Sequence, residues 1–352
     1  MRFSTAASLA VAISTLSVSA QLSGTPPGQC TSPLKVRKEW RDLNDAGRKA
    51  FIDAVKCLGT KPHNSTLAPT GATSGIPPVN TSSSYYDDFV YAHMDSNVKD
   101  HFTAIFFPWH RWYLHTFEKA LKEMCGFTGT IPFWDWSRDV ANIPASPVFN
   151  SSVTHGLGTF GTASNNYTVT DGAFGNTIRA YLEPHRVSRR YDHYPFATKT
   201  FPFDFTKPNM SAPETFTPAI IHSIVTGSIG NFTDFAYKID GEWAQGPHNA
   251  AHLMIKGDLS NPLFSPNDLI FWLHHGHLDC IWARWQANNT ANKDAMSGGL
   301  TQDLPHYDQY PVGAPPQVQK TTSLPTVGLS PSVRVIDVMS TKNQYLCYKC
   351  AY

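Results

Sequence analysis

Residues 265–282, SPNDLIFWLHHGHLDCIW, decide the predicted fold together with residues 246–252, GPHNAAH. His248 and His252 are four positions apart, so a helix places both rings on one face, about 5–6 Å apart at Cβ. His275 lies on an apolar stripe at helical spacing in the longer stretch, which directs it toward the same interior. We therefore predict that two helices bring these three imidazoles together.

The second of these helices has a recognisable start. Ser265 is the predicted N-cap, Pro266 suits the first helical position, and Asp268 is the third helical residue of an arrangement that resembles a capping box. His274 is turned about 100° around the helix from its neighbour, and it is predicted not to bind metal. The stripe that faces the interior consists of Phe271, His275, Leu278, Trp282 and Trp285.

A second triplet is built around residues 100–121, DHFTAIFFPWHRWYLHTFEKAL. His101 and His110 are nine positions apart, half a turn out of phase, so one straight helix cannot present both on the same face. Pro108 is tolerated in a first helical turn and disfavoured inside a helix, so it marks a break between them. His93, from the preceding segment, completes the triplet.

The predicted fold class is mainly α, with a four-helix bundle that holds a dinuclear metal site, two helices per metal. Long loops rich in Gly, Ser, Thr and Pro surround the bundle, and a few short strands are expected, one near residues 333–339. Imidazole suits copper, zinc, iron and nickel alike, so ligand type alone does not choose the metal. A zinc protease is the sharpest alternative, but HNAAH has Asn249 where the HExxH motif has its glutamate.

Several distinctive sequence motifs occur in order along the chain, and they indicate which metal is bound. They are YAHMD, FFPWHR, IPFWDW at residues 131–136, HNAAH and LHHGHLD. These segments resemble the CuA and CuB regions of the tyrosinase, catechol oxidase and hemocyanin superfamily of type 3 copper proteins, and most closely a short secreted fungal tyrosinase or catechol oxidase. The resemblance covers roughly residues 30–320. It implies two copper ions, one held by His93, His101 and His110 and the other by His248, His252 and His275.

The resemblance also implies an activity and further site residues. The chain is expected to be a polyphenol oxidase that uses O2 as co-substrate to oxidise phenolic small molecules, o-diphenols and monophenols, to o-quinones. Glu242 and Asn249 are the expected pair that activates a water, a general-base role. Phe271 is expected to pack against a substrate ring or a ligand imidazole, with plain core packing as the alternative.

Three further residues match charged positions of the family motifs. Asp279, Asp135 and Arg111 are expected behind the ligands, because a ligating imidazole usually donates its other N–H to a carboxylate, carbonyl or water. An ordinary buried ion pair is the alternative for these three, and a plain exposed carboxylate is the alternative for Glu242. A hemocyanin-like oxygen carrier and a non-catalytic secreted copper glycoprotein remain the alternative functions.

Composition limits what else the chain does. The sequence has 352 residues with a formal net charge of +1 and no basic run, which gives no case for nucleic acid or an anionic membrane. Residues 1–20 have a basic start, an apolar stretch and a small-residue end, the layout of a secretory signal peptide. Residues 21–352 are expected to form a single catalytic domain that is secreted and extracellular, of unassigned oligomeric state.

Six cysteines and seven N-x-S/T sequons agree with secretion. Up to three disulfides are expected, with about 15 pairings open. Cys347 and Cys350 have the spacing of a redox CxxC motif, but they lie outside any βαβ pattern, which favours structural bridges. The sequons are Asn64, Asn80, Asn150, Asn166, Asn209, Asn231 and Asn288.

Overall fold

The structure is a computed structural model that describes residues 27–352. The predicted signal peptide, residues 1–20, lies outside the described residues. The helices in this part of the chain are α1 (Asp45–Leu58), α2 (Tyr85–Asp100), α3 (Phe106–Cys125), α4 (Pro218–Thr226), α5 (Phe232–Asp240), α6 (Pro247–Ile255), α7 (Ile270–Asn288) and the single turn α8 (Val335–Val338).

Short strands pair two by two at the periphery. They are β1 (Lys35–Arg37), β2 (Ile178–Arg179), β3 (His185–Arg186), β4 (Gly299–Thr301), β5 (Ala314–Gln317), β6 (Ser323–Leu324), β7 (Val333–Arg334) and β8 (Tyr348–Cys350). β1 and β8 run parallel, and the pairs β2–β3, β4–β5 and β6–β7 are antiparallel. The prediction of a mainly α fold with a few short strands is confirmed.

The break between the first two histidine-bearing helices is confirmed. A capping box between Ser84 and Asp87 starts α2. α2 ends at Asp100, and His101 follows with extended backbone, φ −117° and ψ 139°. α3 then begins at Phe106, which places Pro108 in its first turn. His101 and His110 are therefore free to converge from different elements.

The predicted start of α7, the helix that carries His275, is wrong. Residues 265–267 form a separate 3₁₀ turn, Asp268 is extended, and α7 begins at Ile270. The physical reason is the Asp268 carboxylate, which accepts the N–H of Ile270 at 2.9 Å and forms a buried ion pair with Arg189 at 2.6 Å. The interior stripe of α7 is buried as predicted, but His274 and His277 on its other faces are buried too. α7 is thus surrounded by protein over most of its length.

The β-branched run at residues 333–338 is only partly a strand. Val333 and Arg334 form β7, and the chain then turns into α8. The Asp337 carboxylate accepts the backbone N–H of Arg334 at 2.8 Å and pairs with its guanidinium at 2.7 Å. This local capping interaction favours a helical turn over a longer strand.

The core is one large apolar cluster in which α3 packs against α1, α2 and α7. A smaller cluster, centred on Phe102, Ala244 and Tyr307, lies beside it and includes Phe201 and Phe203. Within residues 27–352, no helix is both long enough and apolar enough to cross a lipid bilayer.

All six cysteines lie in the described part of the chain, and they form three disulfides: Cys30–Cys347, Cys57–Cys125 and Cys280–Cys350. Their Cα separations of 5.4, 5.9 and 5.9 Å suit disulfide geometry. Cys347 and Cys350 bond to different partners, so they do not form a CxxC redox pair. Cys280–Cys350 ties β8 to α7, the helix that carries His275.

We expect no free thiol when the denatured, unreduced protein is titrated, because each sulfur has a bonded partner. The same sample after reduction is the control, and it should release six thiols, one for each cysteine in the sequence. Two or more reactive thiols before reduction would contradict the three pairings.

Candidate metal centre

The first histidine cluster joins the end of α2 to the start of α3. His93 comes from α2, His101 follows that helix directly, and His110 lies on α3. One ring nitrogen from each lies within 4.8 Å of the others, and all three residues are buried. The ring centres are 4.9 to 5.9 Å apart. This is the triplet that the sequence predicted.

In each ring of this cluster, Nδ1 forms a hydrogen bond with a backbone carbonyl group of the protein. Nδ1 of His93 lies 2.8 Å from the carbonyl oxygen of Leu263. Nδ1 of His101 lies 3.2 Å from that of Asn97, and Nδ1 of His110 lies 2.9 Å from that of Phe106. A carbonyl only accepts, so Nδ1 carries the proton and Nε2 keeps its lone pair. The Nε2 atoms of His93 and His110 are buried with no partner within residues 27–352.

The second cluster contains four histidines where the sequence predicted three. His248 and His252 come from α6, and His274 and His275 from α7. Nδ1 of His248 donates to the Asp240 carboxylate at 2.7 Å, and Nδ1 of His252 donates to the Leu259 carbonyl at 2.6 Å. The Nε2 atoms of His252 and His275 are 3.2 Å apart. His248 and His252 share one face of α6, as their four-residue spacing predicted. His274 is a fourth member of the cluster that the sequence did not predict.

The two clusters face each other across a short distance. The His110 ring is stacked on the His275 ring with centres 4.2 Å apart, and the Phe106 ring lies 4.6 Å from both His110 and His248. Several buried nitrogen lone pairs therefore converge from both sides without a protein donor. Three neutral imidazoles on each side suit a first-row transition metal such as copper, so the residues present fit a pair of metal ions.

Burial favours the neutral, metal-binding form in five of the six predicted ligand imidazoles. It lowers the pKa of His93 to about 3. Burial alone would lower the pKa of His101, but the Asp100 carboxylate, 2.8 Å from its Nδ1, acts together with the Asn97 carbonyl and Asp240 to raise it. Burial, reinforced by neighbouring rings, lowers the pKa well below the ordinary range for His110, His248, His252 and His275.

The structure does not bring Glu242 to the site. Its side chain is 55% exposed, and its carboxylate pairs with Lys207 at 3.2 Å. The expected pairing with Asn249 is therefore wrong, and the carboxylate in that place is Asp240, the last residue of α5. Asp240 is buried, and its carboxylate accepts a hydrogen bond from His248. The Asn249 side-chain amide donates to the same residue, with Nδ2 3.0 Å from the Asp240 backbone carbonyl and 3.3 Å from the Asp240 carboxylate.

A tight reversal of the chain explains why Asp240 was missed. Gly241 has φ +83°, and a Cβ there would lie 2.1 Å from the backbone nitrogen of Gly246. Only glycine permits this approach, which folds the end of α5 back onto the start of α6. Burial raises the pKa of Asp240 to about 7. The Asp-Gly pair followed by Gly-Pro-His was the available sequence signal.

Asp279 and Arg111 belong to a buried ion-pair network and do not orient a ligand. The Asp279 carboxylate receives Arg111 Nε at 2.5 Å, Arg37 Nη1 at 2.8 Å and the hydroxyl of Tyr348. Buried guanidinium groups need a carboxylate partner, and Nδ1 of His275 has no hydrogen-bond partner within residues 27–352. This network joins β1, α3, α7 and β8, a geometry that agrees with the alternative of an ordinary buried ion pair.

Asp135 is also not next to a predicted ligand. Its Oδ1 lies 3.2 Å from Nε2 of His277, a buried histidine on another face of α7. Phe271 is fully buried, with its ring centre 4.2 Å from that of His275 and 5.1 Å from that of His93. It packs against predicted ligand imidazoles, one of the two expectations for it.

A cavity of about 180 Å³ opens onto the two clusters. His101 from the first cluster and His248 and His252 from the second line it, together with Asn249. The rest of its wall includes Phe102, Phe201, Pro202, Leu253, Leu259 and Leu304. A small aromatic molecule that enters this cavity reaches both histidine clusters.

Residues 83–288, which contain both clusters, match the family model for the common central domain of tyrosinase. The chain belongs to the tyrosinase family. It is 31% identical to the tyrosinase-like protein phomQ1 of Diaporthe leptostromiformis over 331 residues, an alignment that covers 92% of this chain and 79% of that protein. It is 30% identical over 311 residues to tyrosinase P of Aspergillus terreus, covering 78% of this chain and 82% of the other.

The fold agrees with that of a solved family structure. A polyphenol oxidase mutant from Thermothelomyces thermophila superimposes with a TM-score of 0.71 at 24% identity, covering 92% of this chain and 91% of that chain. As a member of the tyrosinase family, the chain is a type 3 copper oxidoreductase of the tyrosinase type. The family implies a dinuclear copper site, and the two facing histidine clusters are where this chain has the residues for it.

Proposed function

We propose that this chain is a dicopper oxidase that uses O2 to convert o-diphenols, and also monophenols, to o-quinones. His93, His101 and His110 hold one copper, and His248, His252 and His275 hold the other. The observation that carries the proposal is the pair of facing clusters of buried imidazoles. The Nε2 atoms of His93, His110 and His248 have no partner within residues 27–352, and those of His252 and His275 lie 3.2 Å apart. We leave His274 out of the ligand set because its Nδ1 already accepts the indole N–H of Trp136 at 3.1 Å.

When bound, the copper pair supplies the exchange of electrons between the phenol and O2. The protein's own residues orient the ligands and manage the phenol proton. The Asp240 carboxylate accepts a hydrogen bond from Nδ1–H of His248, which fixes the tautomer that leaves Nε2 free for the metal. Asn249, anchored to Asp240 through Nδ2, lies in the cavity wall and holds the water that accepts the proton of an incoming monophenol.

The cavity wall supports uncharged phenols as the substrate class. Aromatic and aliphatic side chains form most of it, and Asn97, Thr200, Ser260 and Gln302 contribute uncharged polar groups. Among residues 27–352, no Lys, Arg, Asp or Glu side chain lines the cavity. A ligand that carries an ammonium or carboxylate group therefore loses hydration there without gaining an opposite charge.

The test is to load the protein with copper and measure metal content and O2 uptake with 4-methylcatechol and with L-dopa. We expect two coppers per chain and O2 uptake with both diphenols. We expect kcat/KM to be at least about tenfold higher for 4-methylcatechol than for L-dopa, because a tenfold ratio corresponds to roughly 1.4 kcal/mol for removing the charged groups of L-dopa from water without a partner. Protein without copper is the control.

Two outcomes would count against different parts of this proposal. Two bound coppers with reversible O2 binding but no phenol turnover would favour the oxygen-carrier alternative, and no bound copper would favour the non-catalytic glycoprotein. Equal kcat/KM for the two diphenols would contradict only the assignment of uncharged substrates.

We also propose that residues 1–20 are a signal peptide and that residues 21–352 form a single secreted catalytic domain. The three disulfides support this, because disulfides form and persist in oxidising compartments. The sequons are the proposed glycosylation sites. N-terminal sequencing of protein from culture medium tests the proposal, with Gln21 as the expected first residue.

A further inference from the structure

His274 stands among the proposed ligands of the second copper without being one of them. It is fully buried, and a ring nitrogen of His274 lies within 4.8 Å of one from each of His248, His252 and His275. Its ring centre is 4.6 Å from that of His252 and 5.6 Å from that of His248. Proximity alone therefore does not separate it from the ligands.

The segment that faces His274 is the motif at residues 131–136. The backbone N–H of Trp134 donates to the carbonyl of Leu273 at 3.0 Å, which ties the motif to α7. The absence of a Cβ at Gly276 permits this approach, since a Cβ there would lie 3.2 Å from the Pro132 carbonyl oxygen. Two residues further on, the indole Nε1 of Trp136 reaches Nδ1 of His274 at 3.1 Å.

The chemistry of the partner at Nδ1 separates His274 from the two proposed ligands on α6. Nδ1 of His248 faces a carboxylate and Nδ1 of His252 faces a carbonyl, and both groups only accept. The indole N–H of Trp136 only donates, so Nδ1 of His274 has to accept and carries no proton. The single proton of the neutral ring is then on Nε2, the atom that is unprotonated in His248 and His252.

We propose that Trp136 is a positioning residue that holds His274 in the Nε2–H tautomer, so that the second cluster has three copper ligands and one hydrogen-bond donor. The proposal rests on the ligand set given under the proposed function. Nε2 of His274 is buried and has no acceptor within residues 27–352. A buried donor without an acceptor is unfavourable, so this N–H is available to an anionic or oxygen ligand that enters the second cluster.

Two measurements test this. The first is the tautomer of His274, read from ¹H–¹⁵N correlation spectra of histidine-labelled protein loaded with zinc, which is diamagnetic. We expect one ring protonated on Nε2 whose signals vanish in His274→Gln, and we expect this tautomer to be lost in Trp136→Phe. Trp112→Phe is the matched control, because it also removes a buried indole hydrogen bond, to Ser330 at 3.0 Å. The ring contacts of Trp112 are with Trp109 and Tyr113, and not with His274.

The second measurement is copper affinity in a rescue experiment. His275→Ala removes a proposed ligand, and we expect it to weaken binding of the second copper. Adding Trp136→Phe frees Nδ1 of His274 to take the proton and Nε2 to bind metal. The double variant should recover copper affinity by about tenfold, at the lower end of what changes around ligands cause. His275→Ala with Trp112→Phe should show no recovery.

Each result decides the proposal. A His274 ring protonated on Nδ1, or a double variant that binds copper no better than His275→Ala, overturns it. A folded double variant is confirmed beforehand by circular dichroism, and the tautomer measurement on Trp136→Phe alone decides the question if the double variant does not fold. The tautomer does not depend on turnover, so a protein that lacks oxidase activity would refute the proposed function without altering this result.

Discussion

Replacing His248 with alanine is expected to lower copper content below two per chain and to abolish phenol oxidation. The ring is buried, its Nδ1 is held by Asp240, and its Nε2 has no other partner in the described chain. Even changes behind a metal ligand cost roughly 10–100-fold in affinity, so loss of the ligand itself should cost at least about 100-fold. Copper analysis after dialysis, alongside O2 uptake, measures both effects. Equivalent substitutions should behave alike at His93, His101, His110, His252 and His275.

His277→Ala is the matched control for the α7 ligand His275. Both residues are buried on the same helix, but His277 lies next to Asp135 and outside both clusters. We expect His277→Ala to keep two coppers, and we expect His274→Ala to be milder than His275→Ala. If His274→Ala loses copper while His275→Ala keeps it, the assignment of the ligand on α7 is wrong.

Asn249→Gly is expected to remove monophenol oxidation selectively. A diphenol gives up its first proton more readily than a monophenol, so only the monophenol reaction should depend strongly on a base held by the protein. Asn249 lies in the cavity wall beside His248 and is anchored to Asp240. General-base contributions are about 10²–10⁴-fold, so monophenolase activity should fall by that factor, while diphenolase activity changes by less than about tenfold.

The measurement is kcat/KM for p-cresol and for 4-methylcatechol at matched copper content. Glu242→Gln is the control, because its carboxylate is on the surface beside Lys207, and both activities should stay unchanged. Equal loss of both activities in Asn249→Gly would show that Asn249 supports the site as a whole. Selective loss in Glu242→Gln instead would restore the residue that the sequence first indicated.

Local spacing was sufficient to predict that two histidines share one helix face and that a break separates two others. The four-residue spacing of His248 and His252, and the break at Pro108 between His101 and His110, depend only on helix geometry and on the missing N–H of proline. The start of α7 was not predictable in this way. The Arg189–Asp268 ion pair that competes with helix at Asp268 joins residues far apart in sequence.

The sequence by itself determined the family and the two histidine triplets, because motif words and helical periodicity are properties of short segments. Tertiary structure alone decided which carboxylate stands behind His248, where Asp279 points, and that Trp136 faces His274. Those contacts depend on how separate segments fold together: the reversal at Gly241, the burial of Arg37 and Arg111, and the approach of residues 131–136 to α7. Hydrogen bonds act over about 3 Å, so a partner many residues away in sequence becomes visible only once the chain is folded.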